Sequence, residues 1–255
     1  MTKIAGGDEP VNAELYRAYS ENLRRAVGKV YAGDKPEADR FKANLSRFAA
    51  YKAWHATQQV RDRVREADGD IEPGTQTLHA FNRWQAAEYN TAVARCRTAK
   101  QWDAFSQDDS TRLFPNIRWI PSRSATPREL HQRFWNRVWP KDDPFWDHNQ
   151  PGNLWNCKCD WEETDDPPTD GNPTSPIRHD GLEGNPAKTG QVFTDNASYI
   201  RKAPKITLDF GTGQQFPALQ RLIDTDTAKW RLDYYSDDGG LLATDRTGSC
   251  ASTTR

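Results

Sequence analysis

The chain has little of what membrane proteins, disulfide scaffolds and nucleotide enzymes require. Its 255 residues include one methionine and four cysteines. No run approaches the roughly 20 apolar residues of a membrane span. The N-terminus, Met1-Thr2-Lys3-Ile4-Ala5-Gly6-Gly7, has no apolar signal core. The expectation is a chain made and kept in the cytoplasm, where thiols stay reduced. Free thiols or a metal are then favoured over disulfides. A phosphate-cradling glycine loop, a dinucleotide fingerprint and His-Glu-x-x-His are all missing. The formal net charge is −1, so no global field argues for nucleic acid or an anionic membrane.

What is present is polar and rich in tryptophan. Charged residues make up 28% and hydrophobic ones 35%, and ten residues are Trp. Indoles either fill a core or anchor an interface. Charge is uneven: residues 108–139 carry six basic and three acidic groups, whereas residues 140–185 carry three and eleven. A basic segment thus abuts an acidic, Pro-rich one, which is most simply two solvated surfaces of opposite sign.

Val11, Leu15, Tyr19, Leu23, Val27 and Val30 recur at three- and four-residue steps and predict a helix over 11–31. Pro36 opens a longer helix to about Glu66, with Phe41, Leu45, Phe48, Tyr51 and His55 on its buried face. His55 reads as a core histidine and Cys96 as a small buried hydrophobe. A third helix is expected from Thr75 to Phe105. Three long helices with short turns predict a helical hairpin or bundle over 1–107. Phe114–Pro121 reads as a strand bounded by prolines, and so as an edge strand. Thr126, Pro127 and Glu129 have the pattern of a capping box, which predicts a helix to about Trp139. Leu130, Phe134 and Val138 would share one face and Arg128, His131 and Trp135 the next. Asp160-Trp161-Glu162 reads as a short closing strand. Residues 166–190 look like a linker. Residues 191–255 read as a small, partly disordered extension, with strands at Gln191–Phe193, Ile206–Phe210 and Trp230–Tyr235, helical turns at Leu219–Ile223, and an exposed Cys250. The expected class is α+β: long N-terminal helices, a small α+β module over 108–165, and a short irregular tail.

The most informative segment is Trp155-Asn156-Cys157-Lys158-Cys159-Asp160-Trp161. Cysteines one residue apart make a strained disulfide but can share a metal ion. Zinc takes about four tetrahedral ligands, mostly Cys and His. Cys157 and Cys159 offer two and His131 a third; His148 or Asp160 could supply the fourth. In the competing arrangement, Arg128 and His131 hydrogen-bond the backbone of the cysteine turn, which packs under Trp155 and Trp161. A Cys/His pair also suits a thiol nucleophile, but no nucleophile turn surrounds it.

Taken in order, the strand ending near Ile120, Arg128-x-x-His131, Pro140–Trp146, Pro151-Gly152 and Trp155-Asn156-Cys157-Lys158-Cys159 resemble the phage Mu F-like minor head protein family, which includes SPP1-type head morphogenesis proteins. Lys158 stands where Arg is commoner in that family. The resemblance covers roughly residues 75–165. It implies a minor head protein of a tailed phage or prophage that binds portal and other head proteins during assembly and assists packaging or delivery of DNA. It places the chain in the virion head interior, and in the host cytoplasm during assembly, away from membranes. Arg128, His131, Trp155, Asn156, Cys157 and Cys159 become motif residues with a structural role and no catalytic one, with structural zinc as the possible cofactor. The alternative is a metal-dependent nuclease or hydrolase, or a delivered effector, built on the His/Cys-x-Cys cluster.

Overall fold

In a computed structural model, residues 2–6, 11–31, 35–177 and 180–203 are described, together with two short strands at 243–244 and 250–251. The chain is α+β. Helices α1 (Thr2–Ala5), α2 (Ala13–Val30), α3 (Lys35–Glu66), α4 (Glu72–Arg83), α5 (Gln85–Phe105) and α6 (Asp108–Leu113) come first. Then follow β1 (Asn116–Ile120), α7 (Glu129–Gln132), β2 (Val138–Pro140), α8 (Phe145–His148), β3 (Asp160–Thr164), α9 (Pro186–Thr189) and α10 (Ser198–Arg201). The paired pieces β4 (Ala243–Thr244) and β5 (Cys250–Ala251) complete the order. No helix among the described residues is long and apolar enough to cross a membrane.

Helices α2 and α3 follow the sequence pattern closely. Asn12 caps α2, its side chain accepting the Leu15 N–H at 3.0 Å, which satisfies one of the orphan donors of the first turn. Tyr19, Leu23 and Val27 are buried against α3, where Phe41, Leu45, Phe48 and Tyr51 form the matching face. The expected third helix is two. Trp84 separates α4 from α5; α4 lies on α3 and α5 lies on α2, which one straight rod would not do.

The sheet corrects two expectations. Its order is β2-β1-β3, all antiparallel, so β1 is the central strand and not an edge. Pro115 and Pro121 fall just outside the paired residues 116–120 and withhold no ladder donor. The helix expected over 126–139 is a single turn, Glu129–Gln132, and Arg128 rather than Thr126 occupies its N-cap position. Asn136 adopts a left-handed φ of 59°, which Asn tolerates better than most residues. Its N–H bonds the Trp119 carbonyl at 2.8 Å, and the chain turns back so that Val138–Pro140 pairs with β1. Leu130 therefore points to solvent, while Phe134 and Val138 are buried.

Among the described residues of 166–190 the one helical turn is α9, as their breakers require, and the segment is packed rather than hanging free as a linker. Ile177 and Leu182 are buried, and the Ile177 N–H bonds the Asn149 side chain at 2.8 Å. Val192 and Phe193 are buried without forming a strand. One hydrophobic cluster runs from α2 and α3 through Trp102 of α5 into the indoles of the module. The elements expected at 206–210, 219–223 and 230–235, and the side chain of Cys250, lie outside the described residues.

Candidate functional site

The Cys-x-Cys turn is seated on α5. Gly152 has φ 98°, and a Cβ there would lie 3.1 Å from Arg95 Cγ and 3.5 Å from the Arg95 backbone nitrogen. Glycine is needed at this position for both conformation and space. The Thr98 hydroxyl donates to the Pro151 carbonyl at 3.0 Å, and the Asn156 N–H donates to the Thr91 hydroxyl at 2.8 Å. Asn156 is left-handed, with φ 57°, and this bend aims Cys157 and Cys159 inward. Both cysteines are buried, while Lys158 between them is exposed. The Lys158 carbonyl accepts the Arg123 N–H at 3.3 Å.

His131 meets them from α7. Its ring is 1% exposed, with Nδ1 3.3 Å from the Cys157 sulfur and 3.6 Å from the Cys159 sulfur. Trp119 of β1 lies edge-on to it, with ring centroids 5.0 Å apart. The Cys159 N–H also reaches the Cys157 sulfur, at 3.4 Å. The two thiols are unlike. Cys157 is the better thiolate, pushed down to about 4 by the hydrogen bond from the Cys159 thiol and by the His131 ring, against the cost of burial. Cys159 is pushed up by the same bond and by burial, while the Trp119 and Trp135 indoles pull it down.

The structure thus brings together the three sequence-predicted ligands His131, Cys157 and Cys159. It does not bring the two candidates for a fourth. His148 ends α8 and is exposed, and Asp160 pairs with Arg97 at 3.0 Å. Arg128 reaches the turn, its guanidinium donating to the Trp155 carbonyl at 3.3 Å, whereas His131 meets the sulfurs and not the backbone. Trp155 packs on Phe193, with centroids 5.2 Å apart. Above the cluster is a cavity of about 410 Å³, lined by Ser122, Ser124, Thr126, Arg128, Glu129 and Lys158 among others, with the His and Cys side chains contributing to its wall.

Nothing in the residue pattern singles out Arg95. It is fully buried in α5 and donates to the carbonyls of Val192 (2.6 Å), Leu182 (2.8 Å) and Glu183 (3.1 Å) and to the Asn153 side chain (2.8 Å). It binds the stretch after residue 180 to the turn that precedes the cysteines. An arginine on a helix ordinarily reads as a solvated face, and only the close approach of Gly152 marks this one.

No protein-family model matches the chain, and no solved structure matches it. The chain is 27% identical over 150 residues to the putative capsid assembly protein F of Escherichia phage Mu. That match covers 58% of this chain and 29% of the relative, so the chain spans under a third of the protein it resembles. The similarity points to a phage head-related family and no further.

Proposed function

We propose that this chain is a head-assembly protein of a tailed phage or prophage that works by binding, docking on the portal and neighbouring head proteins while the head is built and assisting DNA packaging or delivery. The observation that carries this reading is the similarity to a phage Mu capsid assembly protein, joined to the ordered Arg128, His131, Pro151-Gly152 and Cys-x-Cys motif. The site of action is the head interior, reached from the host cytoplasm during assembly.

The physical form suits a binding role. Pro151, Gly152 and Asn156 hold the turn against α5, which gives a rigid platform. Trp84, at the bend between α4 and α5, is 53% exposed, and the Arg83 guanidinium lies over its ring at 5.6 Å. Trp and Arg dominate the centres of protein interfaces, so this pair is the proposed portal contact. Co-expression with the portal protein of the same phage tests the reading. A complex that survives gel filtration is expected, and Trp84→Ala should weaken it about tenfold, or ~1.4 kcal/mol, with the fold unchanged. Clean separation of the chain from portal oligomers would sink it.

A further inference from the structure

We propose that His131, Cys157 and Cys159 form a zinc site with three protein ligands, whose fourth position opens on the cavity above the Cys-x-Cys turn. The spacing is what a tetrahedral ion would span. With Zn–S of about 2.3 Å and Zn–N of about 2.0 to 2.1 Å, a sulfur and a nitrogen ligand lie about 3.6 Å apart. The two sulfurs lie 3.3 and 3.6 Å from the same Nδ1, and all three ligand atoms fall within 4.8 Å of one another.

Hydrogen bonding accounts for this arrangement less well. In the tautomer with Nδ1 unprotonated, its single lone pair accepts from one thiol at a time. A single ion on that lone pair contacts both sulfurs at once. Charge also balances: both S–H protons leave to solvent, two Zn–S bonds form, and two thiolates with a neutral imidazole cancel the charge of Zn²⁺. A neutral centre suits a place where His131 is 1% and Cys159 5% exposed. The soft S₂N set selects zinc over magnesium or calcium.

The surroundings give a second line of support. The indole N–H groups of Trp119 and Trp135 are buried and have no hydrogen-bond partner among the described residues. The Trp119 ring stands against the cluster, its centroid 5.0 Å from that of His131. An unpartnered donor beside the cluster suits sulfurs that carry charge once a metal is bound. The cavity of about 410 Å³ leaves ample room for water as the fourth ligand.

The site stands apart from the portal reading, and loss of either leaves the other intact. The test uses the full chain, stripped with chelator, given zinc, desalted and analysed for metal. About one zinc per chain is expected. Cobalt in its place should give the charge-transfer absorption of Co–thiolate bonds, and zinc should shield Cys157 and Cys159 from a thiol reagent. Cys157→Ser, Cys159→Ser and His131→Ala should each lose most of the metal, while Cys96→Ser, at a buried thiol outside the cluster, should keep it. Wild-type protein that holds under about a tenth of an equivalent overturns the proposal whatever the variants do. So does undiminished metal in all three ligand variants, or both thiols of the pair reacting freely in the presence of zinc.

Discussion

Between α2 and α3 the core is built from residues at helical spacing, such as Leu23, Val27, Phe41, Leu45 and Phe48, each on a backbone that satisfies its own hydrogen bonds. Between β1, β2 and α8 it is built from flat rings instead. Trp139 stacks on Phe145 at 4.1 Å, Trp146 stands at 5.6 Å from Trp139 and 5.4 Å from Trp161, and Trp119 touches Phe134 at 5.0 Å. The module has three short strands and single helical turns, so its loops are fixed by side chains that reach carbonyls. Trp146 Nε1 donates to Pro140 at 2.8 Å, Asn153 to His148 at 2.7 Å, and Arg95 to the stretch after residue 180. Regular helices tolerate loss of a contact locally. A loop-built module depends on a few large side chains.

The sharpest break is Trp146→Ala. The ring is fully buried and also approaches Trp102 of α5, so its loss should cost about 3–5 kcal/mol. Chemical denaturation should show one lowered transition, because the hydrophobic cluster is continuous across both regions. Two separate transitions would show that they fold independently.

The helical half contains a buried ion pair, Lys52 with Glu88 at 2.5 Å, with side chains 0% and 6% exposed. Burial drives the Lys52 pKa down and the Glu88 pKa up, opposed by their mutual attraction. Lys52→Met alone should destabilise by about 3–5 kcal/mol through the carboxylate left behind, whereas Lys52→Met with Glu88→Leu should recover most of that. Urea midpoints of the three proteins decide it.

Arg95→Met should cost about 3 kcal/mol, since several buried carbonyls lose their donor. Hydrogen exchange should quicken over 181–193 while α2 and α3 stay protected. Uniform quickening would place Arg95 in the common core and erase the contrast between the regions.

The smallest effect concerns His55, whose Nε2 lies 2.8 Å from the Tyr199 carbonyl. Burial holds its pKa below the ordinary 6.5, with that hydrogen bond opposing and Lys202 assisting. The unfolded chain therefore takes up the proton first as pH falls, so stability should decline below pH 6.5. His55→Gln should flatten that part of the curve of melting temperature against pH.

Much of the helical half was legible because α2 and α3 obey a local period. The break at Trp84 was not, since it follows from which helix each segment packs on. The Thr126, Pro127 and Glu129 pattern suggested a helix, but Asn136 and pairing with β1 prevailed, and a partner strand distant in sequence leaves no local trace. Likewise β1 looked like an edge because its prolines were visible and its two neighbours were not. At the site, the residue types named His131, Cys157 and Cys159. The indoles beside Cys159 and the buried Arg95 depend on three-dimensional approach, and their spacing carried no signal.

A role in head assembly is tested most directly on the particles themselves. They would be purified from an induced culture of the phage or prophage encoding the chain, freed of unassembled protein and measured by quantitative mass spectrometry. The chain is expected in the heads at a fixed ratio to the portal protein. Heads that assemble and fill with DNA normally while lacking the chain, with the chain left in the unassembled fraction, would contradict that role.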